Sequence, residues 1–397
     1  MTSHKNQHYV PRFYLRRFSD DGIGLCRYLL TNKRSERRNI DNIASSFWFY
    51  GDKSPAPGFE NAMSALEDQH AKIIEDILKK QHLVLRAVIP PHTSQITSED
   101  QRFLHNYFNL LRFVLLTATR TKQAKNESEA VTNAIWKTLQ AQSEEAKARG
   151  ISPEAVKRLK VVRGKADVES MQLAILLGPP LMFDMSIMLL INKTNIPFIT
   201  SDSPAAFVFY RFPKQRDLDP MAWQFQGLMV PSISALTGWK NILNWQAPGL
   251  MIFLPLSQKI TLWLFDRRMY EPNSSAKDSV FLSKNDDVNE LNRLQALNAD
   301  NYLIFSKPNC SKHDVSSLHK QVESRRPDHI AKMNKLGYAK IFCESQFSFL
   351  SVNEEAYEEK AAEFQSGMPI VVRNRSLVRE TLLAAIDDAK QEDAEED

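Results

Sequence analysis

A chain of 397 residues is long enough for two or three domains of roughly 100–200 residues each. Its 43% hydrophobic and 25% charged residues exclude wholesale disorder, and 22 phenylalanines predict an aromatic-rich core. The net charge of +4 is uneven: residues 1–50 carry nine Lys/Arg against four Asp/Glu, and residues 344–397 carry five against fourteen.

A basic head and an acidic tail suit a polyanion-binding face with a competing tail; they also describe two differently solvated surfaces. Cys26, Cys310 and Cys343 lack the close spacing of a zinc knuckle or a redox motif, which fits buried thiols in a reducing compartment. The polar start, Met1 to His8, has no signal-peptide run. The longest apolar stretch, Leu173–Ile191, is broken by Gly178-Pro179-Pro180 and Asp184, so it reads as buried core and not as a membrane span. The expectation is a cytoplasmic protein with no membrane partner.

In chain order, His8 to Phe18 interleaves basic and apolar residues and closes on a Ser19-Asp20-Asp21-Gly22 turn. Gly24–Leu30 and Arg37–Ile43 read as the strands of a hairpin around Thr31-Asn32-Lys33. The cluster Phe47-Trp48-Phe49-Tyr50 and the loop Pro55-Ala56-Pro57-Gly58 precede a helix whose apolar positions are Phe59, Met63, Leu66, Ile73, Ile74, Ile77 and Leu78. Ser98 and Gln101 form a capping box for the next helix, with a stripe from Phe103 to Ala118. Residues 125–149 are polar, as for an exposed helix or lid, and Ser152-Pro153-Glu154 opens another helix.

After Pro179-Pro180 the pattern turns to sheet. Ile196–Thr200, Met251–Leu254 and Ile260–Phe265 read as short strands, separated by loops carrying Trp223, Trp239 and Trp245. Asp286–Leu297 reads as a helix and Tyr302–Phe305 as a further strand. Beyond about residue 311 come a helix, a strand (Tyr338–Cys343), a helix (Glu354–Phe364), a last helix from Ser376, and a tail of disordered composition, Gln391–Asp397. The expected fold class is α+β and helix-rich. It comprises a family-like domain 1–310 (basic N-terminal hairpin 1–58, helical 59–192, mixed or antiparallel sheet in 193–310) and a small C-terminal α/β appendage, 311–397.

Several residues in this order carry a likeness. They are the opening Gln7-His8-Tyr9-Val10-Pro11-Arg12-Phe13-Tyr14-Leu15-Arg16-Arg17-Phe18, Phe49-Tyr50, Glu60 and Glu67, Ala118-Thr119-Arg120-Thr121, Phe198 to Pro204, Phe253 to Ser257, and Val288 to Asn292. Together they resemble the bacterial domain-of-unknown-function family numbered 4238. The His-Tyr-Val-Pro opening and the Thr-Ser-Asp-x-Pro turn are the most specific elements, and the likeness spans about residues 5–306. Ser203 stands where Asn is common in that turn. The resemblance transfers no activity; it implies anti-phage defence as a setting, because some members are associated with it.

Read for chemistry, His8 can serve as general base or acid, or as a metal ligand. The His8-x-x-Pro11 spacing is similar to the catalytic segment of ββα-metal nucleases, with Asn42 as an orienting residue. Gln7 departs from the acidic ligand frequent there, and no second histidine follows at the expected spacing. The alternative is that His8 pins the N-terminal segment by hydrogen bonds. Asp202 and Ser201, at a strand's exit, suit a catalytic or ligand-orienting site or, alternatively, an Asx turn. Arg12 and Arg120 offer guanidinium forks for phosphate, though Arg120 also suits a helix C-terminus. Asn289 and Asn292, three apart, would orient a ligand or buttress the sheet. Glu67 suits a salt bridge with Arg12 or Arg120. No phosphate loop, dinucleotide fingerprint, nucleophile elbow or zincin motif is present.

These residues point to a defence effector hydrolysing the phosphodiester of a nucleic acid or nucleotide, with a divalent metal as the cofactor such chemistry would take. The alternative is a non-catalytic module recognising a phage or host protein.

Overall fold

The computed structural model describes residues 6–49, 59–83, 98–126, 129, 171–172, 174–210, 245–306, 315–324, 341–343, 346–365, 373–374, 376–377 and 380. Most of the expected lid 125–149, the helix at Ser152, Trp223, Trp239 and the acidic tail lie outside them.

Among the described residues, fourteen short strands and the helices between them build an α+β fold. In chain order the strands are β1 (Asn6–His8), β2 (Gly24–Leu29), β3 (Arg34–Asn39), β4 (Ser45–Phe47), β5 (Ser186–Asn192), β6 (Thr200–Ser201) and β7 (Ala206–Tyr210). They continue with β8 (Leu250–Pro255), β9 (Ile260–Phe265), β10 (Tyr270–Pro272), β11 (Ser279–Leu282), β12 (Tyr302–Phe305), β13 (Ile341–Cys343) and β14 (Leu350–Val352). The helices are α1 (Arg12–Leu15), α2 (Phe59–Lys80), α3 (Ser98–Thr119), α4 (Gly178–Leu181), α5 (Asn285–Asn298), α6 (Val315–Glu323) and α7 (Glu354–Gln365).

A six-stranded sheet of order β11-β5-β9-β8-β7-β13 forms the centre. Its inner pairs are antiparallel and both outermost pairs parallel. Successive side chains of a strand face opposite sides, and here both sides are apolar. Leu189, Ile191, Ile252, Leu254, Leu262 and Leu264 join a core with α1, α2 and α3. The intervening Met188, Leu190, Met251, Phe253, Trp263 and Phe265 join a second core with α5, α6, Ile341, Cys343, Phe347, Phe349 and Tyr357. A sheet buried on both faces explains why Leu250–Pro255 and, but for Thr261, Ile260–Phe265 are apolar runs without alternation. The second core is stacked aromatic: Trp263 lies 4.0 Å from Phe265 and 5.3 Å from Phe349, centroid to centroid.

A four-stranded antiparallel sheet, β3-β2-β12-β6, spans the same two cores by the same alternation, with Leu25 and Ile304 on one side and Cys26, Tyr28 and Leu303 on the other. The expected hairpin is present, but its return strand is β3, earlier than Arg37–Ile43. The reason is local: the Asn39 side chain accepts the Asp41 N–H at 2.9 Å and winds Ile40–Asn42 into a 3₁₀ turn. Ile196–Ile199 also differ from expectation. They pair with no neighbouring strand; side-chain and loop groups take their amides, and the ladder begins only at Thr200.

Residues past 310 contribute to the central sheet, since β13 pairs with β7 at its edge, and β14 pairs with β10. Arg373, almost fully buried, ion-pairs with Asp184 at 2.9 Å and donates to the Ala247 carbonyl at 3.2 Å. Among the described residues, no helix is long and apolar enough to cross a membrane.

Candidate functional site

The N-terminal motif forms a two-stranded ribbon. β1 pairs antiparallel with β4 in the register Asn6↔Phe47, Gln7↔Ser46, His8↔Ser45. Cross-strand partners share a face, so Asn6, His8, Ser45 and Phe47 line one side of the ribbon while Gln7 turns into the protein and is buried. Tyr9 and Val10 both donate to the Ala44 carbonyl, and Pro11 (φ −59°, ψ 137°) then turns the chain into α1. The Tyr9 hydroxyl shares a 2.8 Å hydrogen bond with Tyr302, whose hydroxyl also accepts the Ala44 N–H. The His-Tyr-Val-Pro signature is therefore a folding unit: strand, anchor and helix start within four residues.

Arg120 locks this unit from behind. It lies at the C-terminal end of α3, 5% exposed, and donates to the His8 backbone carbonyl at 2.6 Å and to the Glu67 carboxylate on α2. Three elements meet on one guanidinium, which gives Arg120 an architectural role that a lysine's single ammonium would fill poorly.

The His8 imidazole is half-buried, with Nε2 3.4 Å from the Ile40 carbonyl. A carbonyl only accepts, so this contact assigns the proton to Nε2 and a lone pair to Nδ1. Burial, followed by the charges of Arg12 and Arg120, lowers the imidazole below its ordinary 6.5, against the opposing pull of Ile40 and Asp41. The ring is therefore neutral at pH 7. Arg12, its side chain more than half exposed, pairs with Asp41 at 3.3 Å. The Asp41 backbone carbonyl accepts from Asn6 at 3.2 Å and from Ser45 at 3.4 Å. Asn42 is exposed in the 3₁₀ turn.

The other sequence candidates serve the interior. Asp202 is 2% exposed; its two carboxylate oxygens accept the backbone N–H groups of Asp300 at 2.9 Å and Asn301 at 2.8 Å. Its partners lie nearly a hundred residues on and not in its own turn: it clamps the corner that leads into β12. Burial and the Asp300 charge push its pKa up to about 6, against the two amides. Ser201 donates to the Ser203 carbonyl at 2.9 Å, and the Ser203 hydroxyl reaches Gln123 at 2.8 Å. Asn289 is exposed, whereas Asn292 is buried, so the two amides do not share one environment.

Asn292 accepts the Ile199 N–H and donates to the Pro197 carbonyl, both at 3.0 Å, standing in for a β-strand neighbour. With Gln295 on Pro204 and Asn298 on Ser203 and Ala205, it makes one face of α5 a surrogate edge for residues 197–205. Replacing Asn292 with leucine leaves a buried donor and acceptor unpaired and should cost about 2–4 kcal/mol in chemical denaturation; a loss under about 0.5 kcal/mol would contradict this role.

Sequence reasoning missed Asp41 and the outward face of Phe47; Ser45-Ser46-Phe47 is too short, and its two serines too alike, to show an alternation. Among the described residues no three His, Cys, Asp or Glu side chains are grouped to hold a metal ion.

Fold and site together define an α+β protein whose N-terminal ribbon displays a neutral histidine and an exposed arginine on an outer face. The chain belongs to the family described as "Protein of unknown function (DUF4238)", whose model matches residues 6–309. That match takes in β1 to β12 and stops before β13, the strand that completes the central sheet. No curated protein and no solved structure matches the chain.

Proposed function

We propose that the protein hydrolyses a phosphodiester of a nucleic acid or nucleotide at the outer face of the ribbon, with His8 as general base and Arg12 as phosphate ligand. The observation that supports it is the state of His8: a neutral imidazole whose Nε2–H is directed to the Ile40 carbonyl, with its basic lone pair on Nδ1, beside an exposed guanidinium. In the step, Nδ1 takes a proton from water as the water oxygen bonds to phosphorus. The P–O bond to the leaving oxygen breaks, and the imidazolium returns its proton to that oxygen. Arg12 neutralises the phosphate. Asp202, enclosed and bonded to amides, is assigned to holding the β12 corner. Anti-phage defence, implied by the family likeness, is the setting we propose.

The test is hydrolysis of single-stranded, duplex and cyclic nucleotide substrates by the full chain. His8→Asn should lower the rate about 10²–10⁴-fold, the usual worth of a positioned base, without altering the thermal melt by more than a few degrees. Because the imidazole is depressed, the acid limb of the rate profile should have its midpoint below 6.5. Full activity in the asparagine variant would end the proposal.

A further inference from the structure

The outer face of the ribbon carries one group that general-base chemistry leaves unused. Phe47 is 72% exposed on a strand that is hydrogen-bonded along its length to β1. Two residues on, Phe49 is buried against Tyr9 at 5.3 Å, with the Lys125 ammonium 5.1 Å from its ring centroid. The chain thus spends one phenylalanine on the core and holds the other in water. A large apolar ring kept in solvent on an ordered strand forgoes its burial, and the residues that share its face, Asn6, His8 and Ser45, are polar.

We infer that Phe47 is a stacking platform for an unpaired base, which makes single-stranded nucleic acid the ligand of this face; the inference rests on the phosphodiester reading above. The register places Phe47 diagonal to His8, a separation of about 7–8 Å between Cα positions across an antiparallel pair, within the reach of one nucleotide. Arg12, exposed and acting on the His8 imidazole, supplies positive charge near this face while pairing with Asp41 at 3.3 Å. Asn6 and Ser45, on the same face, are both bonded to the Asp41 carbonyl, so the platform and the histidine stand on a braced surface. Bases in a duplex are already stacked on one another; only a free base offers its face to a phenyl ring. Stacking of this kind tolerates any base, so the face selects strandedness and not sequence.

The experiment is fluorescence anisotropy with a labelled oligothymidylate and with a duplex of equal length, in a His8→Asn background that keeps the probe intact. The single strand should bind more tightly than the duplex. Phe47→Ala should weaken single-strand binding about tenfold or more, and Phe47→Trp should retain it. Arg12→Ala should instead reduce the salt dependence of log affinity by about one unit of slope. Equal binding by Phe47→Ala, or duplex binding as tight as single-strand binding, overturns the inference. If the platform variant binds and cuts like the parent while His8→Asn is inert, stacking fails and the catalytic reading stands. If His8→Asn still cuts while Phe47→Ala binds poorly, the catalytic reading fails and stacking stands. Absence of binding to either probe removes both. Phe47 is largely exposed, so its alanine variant should melt with the parent.

Discussion

Arg120→Met should destabilise the protein by about 3 kcal/mol, read as a lower urea midpoint at unchanged slope. The guanidinium is buried and satisfies two groups that come from elsewhere in the chain, the Glu67 carboxylate and the His8 carbonyl. Methionine fills much of the volume but leaves a carboxylate without its cation and a carbonyl without its donor. The Glu67 side chain is 27% exposed, so water recovers part of the loss, which puts the expected cost at the lower end for a broken buried pair. Arg120→Lys should recover only a fraction, since one ammonium does not span both acceptors. Glu67→Gln added to Arg120→Met should recover more, because no orphan charge remains. Arg120 also fixes the register of the strand that bears His8, so activity should fall with stability. A loss below about 1 kcal/mol in Arg120→Met would show that the lock is dispensable.

Asp202→Ala should cost about 2–4 kcal/mol near neutral pH by exposing two backbone donors in the interior. Its pH dependence runs opposite to that of an ordinary salt-bridged aspartate. The native carboxyl titrates near 6, above its ordinary 3.8, so between those values the folded state holds more protons than the unfolded chain. The parent's stability attributable to this group is complete below 3.8 and declines as pH rises through 6, by an amount on the order of 3 kcal/mol for a shift of about two units. The penalty of the alanine substitution should therefore be larger at pH 4 than at pH 7. Denaturation of both proteins across that range measures the difference. A penalty that grows with pH would mean that the two amides outweigh burial and the Asp300 charge.

How much the amino-acid pattern reveals depends on the range of the interaction involved. β9 and β12 are legible to the residue, because a short apolar run bounded by turn residues has little else to become. α2, α3 and α5 follow from 3.6-residue spacing. β5 starts inside the apolar stretch ending at Ile191 and runs one residue past it; hydrophobicity there carries no period to separate strand from helix. β1, β10 and β14 have three residues each, too few for any pattern. Ile196–Ile199 has the composition of a strand yet lacks a strand partner: Asn292, from a helix nearly a hundred positions away, takes the Ile199 N–H and the Pro197 carbonyl, and Thr194 and Gln258 take the amides of Ile196 and Phe198.

The same limit governs the site. His8, Arg12 and Arg120 converge around one backbone segment. Asp202 carries the right chemistry for a site, but what it bonds, residues 300–301, is visible only once the chain is folded. Asp41 was hidden by its ordinary setting in a polar turn.

The parallel pairing of β7 with β13 bears on how this molecule is made. Val208 and Phe209 lie deep in the central sheet, yet the strand that covers their outer edge begins at Ile341. A nascent chain whose leading part has already collapsed therefore presents a bare row of amides and carbonyls until the ribosome has released that late strand. Such an edge is a template for pairing with other chains. Fragments ending where the family match ends, at residue 309, would carry that adhesive border permanently.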